Sequence, residues 1–300
     1  MIPTIEYEDL KTNKNISSKL EDTLNEVGFF IIKNHPISEK SIDKLFSITE
    51  TLFNLPINIK NKYHLPGTNG ARGYTPYGIE TALNEKLPDQ KEFWHQGSNT
   101  NKNLLDNQYL TELDDFDFID EMYKEFENVG MDILKAFKSF NLDYHADLTE
   151  IARNGNSILR LIHYPKVESN TNRQRARAHN DVNLITLLVG GNAAGLEAQD
   201  KSGNWVECNC RKNEIICNVG DMLEIISQQK LRSTPHRVVS KSNSNVSRYS
   251  IPFFLHPRPE VVLYPITQLS ADEFLTKRLK DIKLNYCLLY TSDAADDWSS

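Results

Sequence analysis

Hydrophobic residues recur at helical spacing in the first half of the chain. Residues 16–27 and 38–53 each carry an apolar stripe that repeats every three to four positions, which predicts two amphipathic helices. Residues 111–140 continue this pattern over a longer stretch, so we expect a long helix that packs on a sheet. A last helix is predicted over residues 271–282.

A strand-like pattern replaces the helical one after residue 157. Short apolar segments, separated by turn residues about every ten positions, predict many short strands, which is typical of a β-sandwich or jelly roll. Before it, residues 28–35 are rich in β-forming residues, whereas residues 56–107 break into loops rich in Pro, Gly and Asn. A long irregular stretch in a compact chain often carries function, so we expect these loops to form a lid or substrate wall, or plain connections.

Length and composition are those of an ordinary globular protein. The 300 residues, of which 39% are hydrophobic and 25% charged, suffice for a sizeable core. A net charge of −7 argues against nucleic-acid binding, which requires a surplus of basic residues. No apolar run approaches the roughly 18 residues of a membrane span, and the first residues lack the layout of a signal peptide. We therefore expect a cytoplasmic protein with neither a nucleic-acid nor a membrane partner.

The four cysteines are too few and too clustered for a disulfide scaffold. The spacing of Cys208, Cys210 and Cys217 matches no common zinc motif, and Cys287 is distant. We expect ordinary buried or half-buried thiols.

The candidate chemistry begins with two residues that lie two positions apart. His179 and Asp181 precede the apolar segment 184–189, and at the head of a strand their side chains would project from one face. His236 would return from another strand as a third ligand. Two neutral imidazoles and one carboxylate leave up to three coordination positions open, which is the facial arrangement of non-haem Fe(II) oxygenases.

A second pair follows the third candidate ligand. Arg248 and Ser250 lie two apart on a strand predicted over residues 248–255, so their side chains share a face. A guanidinium group can hold a carboxylate through two parallel hydrogen bonds, and the serine hydroxyl adds a third donor. The pair therefore suits a ligand that carries a carboxylate.

Taken in order, the His-x-Asp pair, the distant histidine and the Arg-x-Ser pair resemble the Fe(II)/2-oxoglutarate-dependent dioxygenases, in the branch similar to isopenicillin N synthase. Further segments share the resemblance, namely residues 28–35, residues 72–74 and the run from Gly220 to Val238. The resemblance implies a mainly β fold with flanking helices around a double-stranded β-helix (jelly-roll) core. We expect residues 1–110 to form a helical and loop region, 111–285 the core, and 286–300 a disordered or non-native tail.

The same resemblance implies the roles of the candidate residues. His179, Asp181 and His236 would hold Fe(II), and Arg248 and Ser250 would hold the far carboxylate of 2-oxoglutarate. The enzyme would use O2 to hydroxylate, desaturate or cyclise a small organic substrate, giving succinate and CO2.

Tyr164 matches a family tyrosine whose hydroxyl reaches the cosubstrate, although a packing role is nearly as well supported. The companion asparagine of that motif is replaced by Ile162. Isopenicillin N synthase itself keeps an Arg-x-Ser pair without using 2-oxoglutarate, so an oxidase of that kind is one alternative. Another is a non-catalytic jelly-roll protein whose triad is vestigial or holds zinc.

Other basic residues are less informative. We expect His163 to be structural because it faces away from Tyr164 on the predicted strand, and His95 to be a candidate only if the loops form a substrate wall. The remaining histidines, His35, His64, His145 and His256, have no partner at ligand spacing. Three alternating arginines, Arg173, Arg175 and Arg177, predict a solvated edge or, as the sharper alternative, a contact to an anionic substrate.

Overall fold

The structure is a computed structural model that describes residues 2–12, 17–68, 70–79, 89–140, 142, 144–166, 176–190, 195–239, 247–264, 266 and 268–281. Its helices are α1 (Tyr7–Thr12), α2 (Ser17–Glu26), α3 (Glu39–Asn54), α4 (Ile57–Lys60), α5 (Phe118–Ala136), α6 (Leu148–Ala152), α7 (Asp221–Ile226) and α8 (Ala271–Asp281), with 3-10 turns at Asn61–Tyr63 and Phe137–Ser139. Its strands are β1 (Thr4–Glu6), β2 (Phe29–Lys33), β3 (Gly73–Thr75), β4 (Glu92–Gly97), β5 (Ile158–Tyr164), β6 (Ala176–His179), β7 (Ile185–Val189), β8 (Leu196–Gln199), β9 (Trp205–Glu207), β10 (Ile215–Val219), β11 (His236–Val238), β12 (Arg248–Ser250), β13 (Pro252–Leu255), β14 (Val262–Tyr264) and β15 (Leu269–Ser270).

Two sheets form the body of the fold. In the larger sheet the strands run in the order β1-β2-β10-β7-β13-β5-β4-β3, and β12 also pairs with β5. The smaller sheet has the order β6-β11-β8-β9. Apart from the parallel pair β1 and β2, the pairings in both sheets are antiparallel. Several neighbouring strands, such as β2 and β10 or β5 and β13, come from distant parts of the chain, as in a jelly roll.

The larger sheet is covered on both faces, and alternate residues of each strand belong to different layers. On β5, Leu159 and Leu161 pack in the main core, whereas Ile162 and Tyr164 belong to a second cluster between the sheets. That second cluster also contains Ala198 and Val238 of the smaller sheet. Because side chains alternate along a strand, one face of β5 packs on helices and the other faces the smaller sheet. The space between the sheets is where a ligand can bind.

The helical layer rests on the face of the sheet that points away from the smaller sheet. Helix α5 buries Phe126 and Ile133, and the Phe126 ring stacks on Phe253 of β13 with centroids 5.9 Å apart. An added Cβ at Gly130 would lie 3.0 Å from Leu255, so the missing side chain permits close packing of α5 on the sheet. Burial of each large apolar side chain contributes roughly 1.5–3 kcal/mol, so this layer is a main source of stability.

Helix boundaries follow local chemistry where the sequence shows it. Ser38 caps α3, because its Oγ accepts a hydrogen bond of 3.0 Å from the backbone N–H of Ser41. Gly28 follows the C-terminal end of α2 and has a φ of +71°, which ends the helix. A Cβ at this position would lie 2.1 Å from the carbonyl oxygen of Arg232. Only glycine fits that conformation and that close approach.

Three predicted elements differ from the structure. The long helix begins at Phe118 and not near residue 111, because Asp115 has a φ of +57°, which a right-handed helix does not allow. The strand predicted over residues 248–255 is split at Ile251 into β12 and β13. The apolar run 261–264 predicts a strand that closes the main sheet, but β14, which it forms, pairs with β15 in a separate two-stranded sheet.

The stretch 56–107 is also more ordered than the loops we expected. It contributes β3 and β4, and the six residues of β4 are all buried. Residues 80–88 and the predicted tail 286–300 lie outside the described residues. Across the part of the chain that is described, the helices are too short or too polar to cross a membrane.

Candidate active site

Two histidines meet at the edge of the smaller sheet. His179 is the last residue of β6, and His236 is the first residue of β11. The two strands are antiparallel neighbours, and their register places His236 opposite His179. Residues opposite each other in such a pair have neighbouring side chains, and here the ring centroids lie 4.4 Å apart. Strand pairing thus joins residues that are distant in sequence.

Asp181 completes this group from the segment that links the two sheets. The chain passes there from β6 to β7, so His179 ends one strand and Asp181 lies outside it. The prediction that both residues lie at the head of one strand is therefore wrong. Oδ1 of Asp181 lies 3.9 Å from Nε2 of His179 and 3.7 Å from Nε2 of His236. One donor atom from each residue lies within 4.8 Å of the other two. With metal bonds of roughly 2 Å, one ion between them can contact all three side chains.

Hydrogen bonds on the far side of each imidazole ring fix its tautomer. Nδ1 of His179 lies 2.7 Å from the carbonyl oxygen of Arg177, and Nδ1 of His236 lies 3.1 Å from that of Thr234. A carbonyl oxygen only accepts, so Nδ1 carries the proton and donates it in both rings. Nε2 then keeps its lone pair toward Asp181, which is the form that binds a metal.

The Asp181 carboxylate is oriented in the same way. Its Oδ2 accepts hydrogen bonds from Oγ1 of Thr186 (2.6 Å) and Nδ2 of Asn218 (2.8 Å), and Oδ1 is left to face the histidines. Thr186 and Asn218 lie opposite each other on β7 and β10 of the larger sheet. The carboxylate is therefore held by the larger sheet, while the histidines belong to the smaller one.

The electrostatics of the group favour the protonation states that a metal needs. Burial, together with the neighbouring His236, lowers the pKa of His179 to about 4, although 42% of its side chain remains exposed. Burial acts to raise the pKa of Asp181, but the two histidines and the bonds from Asn218 and Thr186 outweigh it, and the net pKa is lowered. At neutral pH the site thus contains a neutral His179 and an ionised Asp181. This donor set fits a divalent transition metal.

The predicted carboxylate-binding residues lie in the same cavity. Arg248 and Ser250 of β12 pair with Tyr164 and Ile162 of β5, respectively, and all four side chains line the cavity. Arg248 and Ser250 are only 4% and 5% exposed, and the Arg248 guanidinium lies 5.4 Å from the centroid of the Tyr164 ring. Burial lowers the pKa of Arg248, but its ordinary value is so high that the group stays charged. A buried cation with a neighbouring hydroxyl fits the far carboxylate of 2-oxoglutarate.

The cavity itself measures about 210 Å³ and lies between the two sheets. Several residues that line this cavity could not be predicted from the sequence, because they belong to no motif. These are Asn156, Arg160, Thr186, Asn218, Phe254, His256, Leu275 and Leu279, whereas Lys91 and His95 come from the segment 91–95, which resembles a family segment that approaches the substrate pocket. His256 had been expected to be an ordinary histidine, but it lines the cavity, and burial lowers its pKa to about 4.

The other sequence candidates fall outside the metal group. His163 faces the helical side of β5, where its Nδ1 lies 2.7 Å from Oε1 of Glu92, as a structural role predicts. His95 lines the cavity. Arg173, Arg175 and Cys287 lie outside the described residues. Cys208, Cys210 and Cys217 are free thiols, and within the described residues only the two histidines and Asp181 form a group that could hold a metal.

Known proteins are similar to this chain in both sequence and fold. The model of the 2OG-Fe(II) oxygenase superfamily matches residues 155–257, and that of the N-terminal region of the non-haem dioxygenase in morphine synthesis matches residues 2–115. The 2-oxoglutarate-Fe(II) type oxidoreductase ppzD of Metarhizium rileyi is 31% identical over 279 residues, covering 85% of this chain and 78% of that protein. The chain belongs to the 2OG-Fe(II) oxygenase superfamily.

Three further proteins are similar to this oxygenase in sequence or in fold. The proline hydroxylase buaE of Petromyces alliaceus is 33% identical over 269 residues and covers 82% of each chain. A solved structure assigned to the 2OG-Fe(II) oxygenase family, from Caulobacter crescentus, superposes with a TM-score of 0.81 at 31% identity and covers 94% of this chain and 99% of that one. A Neurospora crassa protein crystallised with alpha-KG has the same TM-score at 24% identity, covering 93% and 95%, and supports the fold alone.

Membership confirms several predictions made from the sequence. The fold is a jelly roll with flanking helices, and the protein is a non-haem oxidoreductase that uses Fe(II), 2-oxoglutarate and O2. A small-molecule substrate is consistent with this family. The relatives support this assignment over both alternatives, the oxidase without 2-oxoglutarate and the non-catalytic binding protein.

Proposed function

We propose that this oxygenase binds Fe(II) through His179, Asp181 and His236 and binds 2-oxoglutarate through Arg248, Ser250 and Tyr164, in order to oxidise a small organic molecule. The convergence of Oδ1 of Asp181 with the two Nε2 atoms is the observation that carries the proposal. The fixed Nδ1–H tautomers support it, because they leave both lone pairs on the side where the ion would lie.

The protein side chains have distinct roles in this proposal. Arg248 and Ser250 would fix the far end of the cosubstrate, and the Tyr164 ring beside the guanidinium would shape that end of the cavity. The cavity walls would orient the substrate and exclude water. Bound Fe(II) and 2-oxoglutarate supply the oxidising chemistry, in which O2 and 2-oxoglutarate give succinate and CO2 while a C–H bond of the substrate is oxidised.

Three finer predictions belong to the same proposal. They are membership in the branch similar to isopenicillin N synthase, a cytoplasmic location, and a division into residues 1–110, 111–285 and 286–300. The ordered His-x-Asp, His and Arg-x-Ser set supports the branch. The branch itself leaves the reaction open among hydroxylation, desaturation and ring closure.

An assay of substrate-independent turnover tests the proposal. We expect purified protein with Fe(II) and 2-oxoglutarate to consume O2 and form succinate in equal amounts. Asp181→Ala should abolish this turnover, whereas Asp106→Ala, which removes an exposed carboxylate, should leave it intact. Turnover retained by Asp181→Ala would remove the assigned metal site, and O2 consumption without succinate would favour the oxidase.

A further inference from the structure

His256 is a buried imidazole in the cavity that the proposed metal and cosubstrate sites do not use. It lines the cavity and is only 7% exposed. Within the described part of the chain, its ring nitrogens have no hydrogen-bond partner. A buried polar group without a partner destabilises a fold, so such a group at a cavity wall indicates a ligand that supplies the missing hydrogen bond.

The main chain around His256 is fixed by its neighbours. Its N–H donates a hydrogen bond of 3.0 Å to Oγ of Ser157, and the N–H of Asn156 donates one of 3.3 Å to the carbonyl oxygen of Pro257. A Cβ at Gly155 would lie 2.1 Å from the carbonyl oxygen of His256, so the two segments are in direct contact. These contacts hold the imidazole at the cavity wall, and a preorganised group loses little freedom when it binds a ligand.

The imidazole lies close to the proposed metal site. Phe254, two residues before His256, also lines the cavity and pairs across the larger sheet with Thr186. The hydroxyl of Thr186 bonds to Asp181, and the Asp181 carboxylate is near enough to act on the protonation of the His256 ring. A substrate group bound at His256 would therefore lie beside the metal ligands.

The same imidazole is distant from the site assigned to the far carboxylate of 2-oxoglutarate. Arg248 pairs with Tyr164 at one end of β5. Phe254 pairs with Ile158 at the other end, six residues away, which corresponds to roughly 20 Å of strand. Because His256 follows Phe254, a ligand on its ring does not compete with a carboxylate held by Arg248.

The chemistry of the ring limits which groups it can bind well. Burial lowers the pKa of His256 to about 4, so the imidazole is neutral at pH 7 and offers one donor and one acceptor. A hydroxyl or a carboxamide also carries both and can satisfy either nitrogen. A carboxylate only accepts, and it would add a negative charge near Asp181. Other walls of the cavity are apolar, among them Phe254, Leu275 and Leu279.

We propose that the substrate of this oxygenase is a largely apolar molecule with an uncharged donor–acceptor group, a hydroxyl or a carboxamide, that His256 binds. This bond would position the substrate beside the metal site. The proposal rests on the proposed function, because it assigns the substrate class of the same cavity. A buried hydrogen-bonding side chain also gives specificity, since an analogue that lacks the matching group leaves that side chain without a partner.

Binding of benzamide and benzyl alcohol to the metal-free protein tests this proposal without requiring turnover. An apolar protein cavity of roughly 150 Å³ holds benzene, so a cavity of about 210 Å³ admits both probes. Benzoate is the charged comparison and ethylbenzene the apolar one. We expect at least one polar probe to raise Tm and to bind more tightly than either comparison. His256→Phe keeps a planar ring without nitrogens and should weaken that probe about 10- to 100-fold, because the polar group of the probe is then buried without a partner.

Matched variants separate a bond to the imidazole from a general effect of the substitution. His145→Phe makes the same change at an exposed histidine and should bind the probe as the wild type does. His256→Gln keeps a donor and an acceptor and should fall between the wild type and His256→Phe. In nitrogen NMR spectra, the imidazole signals that His256→Gln lacks should shift when the probe binds to the wild type, which a histidine with a purely structural role would not show.

The proposal is overturned if neither polar probe binds the wild type more tightly than ethylbenzene, or if His256→Phe binds them as tightly as His145→Phe. Tighter binding of benzoate than of both polar probes, lost in His256→Phe, would overturn the uncharged class. Failure of the proposed function would appear elsewhere, as absence of succinate formation by the wild type.

Discussion

The hydroxyl of Thr186 offers a sharp test of how the larger sheet supports the metal site. Thr186→Val replaces the hydroxyl with a methyl group of similar size, so packing is kept while the 2.6 Å hydrogen bond to Oδ2 of Asp181 is lost. Thr186 is 4% exposed, so water cannot readily take the place of the lost donor. Asn218 still holds the same oxygen, and the carboxylate should therefore be loosened without leaving the site.

The expected loss of Fe(II) affinity follows from the negative charge of the Asp181 carboxylate, which accepts the hydrogen bond. A hydrogen bond to an ionised group contributes about 1.5–3 kcal/mol, and loss of such a partner to a metal ligand typically weakens metal binding 10- to 100-fold. We expect a decrease of this size in Fe(II) affinity for Thr186→Val. Asn218→Leu should give a similar decrease, and the double variant should exceed either single one, because together they release the carboxylate.

The assay is an anaerobic Fe(II) titration against a competing chelator. Thr49→Val is the matched control, since Thr49 is also buried but its hydroxyl bonds to the backbone oxygen of Leu45 in α3, away from the site. Denaturant unfolding of each variant would show that the folded state is retained. If Thr186→Val binds Fe(II) as tightly as Thr49→Val, the larger sheet does not support the metal ligand and the reasoning fails.

Three further predictions concern the cosubstrate, the pH response and the core. Arg248→Lys should mainly raise the apparent KM for 2-oxoglutarate, because a point charge cannot reproduce two parallel hydrogen bonds, and an unchanged KM would contradict the assigned role. Burial lowers the pKa of His256 from an ordinary 6.5 to about 4, so the unfolded chain binds this proton first as pH falls. As the pH falls from 7 to 5, this histidine should lower the unfolding free energy of the metal-free protein by about 2 kcal/mol. His256→Gln should lose less unfolding free energy over the same range, and an equal pH dependence in the variant and the wild type would refute this prediction. Phe126→Ala should destabilise the protein by about 3–5 kcal/mol in denaturant unfolding, since it removes a buried ring stacked on Phe253, and a loss below about 1 kcal/mol would contradict the packing described for α5.

The convergence of the three candidate metal ligands could be predicted from spacing, because metal chemistry restricts which residue types can occur there. Few residue types ligate Fe(II), and the separation of His179, Asp181 and His236 matched a known arrangement. The strand assignment was wrong because the spacing does not show where a chain changes sheets. Asp181 lies on the passage between the sheets, and that position lets Thr186 and Asn218 of the larger sheet hold it.

Strand β4 was missed because both of its faces are buried. Alternation of polar and apolar residues marks a strand only when one face meets water, and here Trp94 packs in the main core while His95 lines the cavity. Its buried Glu92 would argue against a strand in isolation. In the fold, Lys60, Tyr74 and His163 all contact that carboxylate.

The sequence made His95 a candidate for the substrate wall, but it did not predict its contact with Arg160. Arg160 and His95 are 65 positions apart, and only the pairing of β4 with β5 brings them together. No local pattern distinguishes Arg160 from an arginine on a solvated strand face. The helical stripes, by contrast, depend on local periodicity and local caps, so α3 and its cap at Ser38 could be read directly from the sequence.

The central claim is that His179, Asp181 and His236 hold one Fe(II) beside a 2-oxoglutarate site at Arg248. Anaerobic spectroscopic titration with Fe(II) and then 2-oxoglutarate tests it most directly. The wild-type protein should develop the visible charge-transfer band at one equivalent of metal per chain, and Asp181→Ala should develop none. A band of equal intensity in Asp181→Ala, or no band in the wild type, would contradict the account.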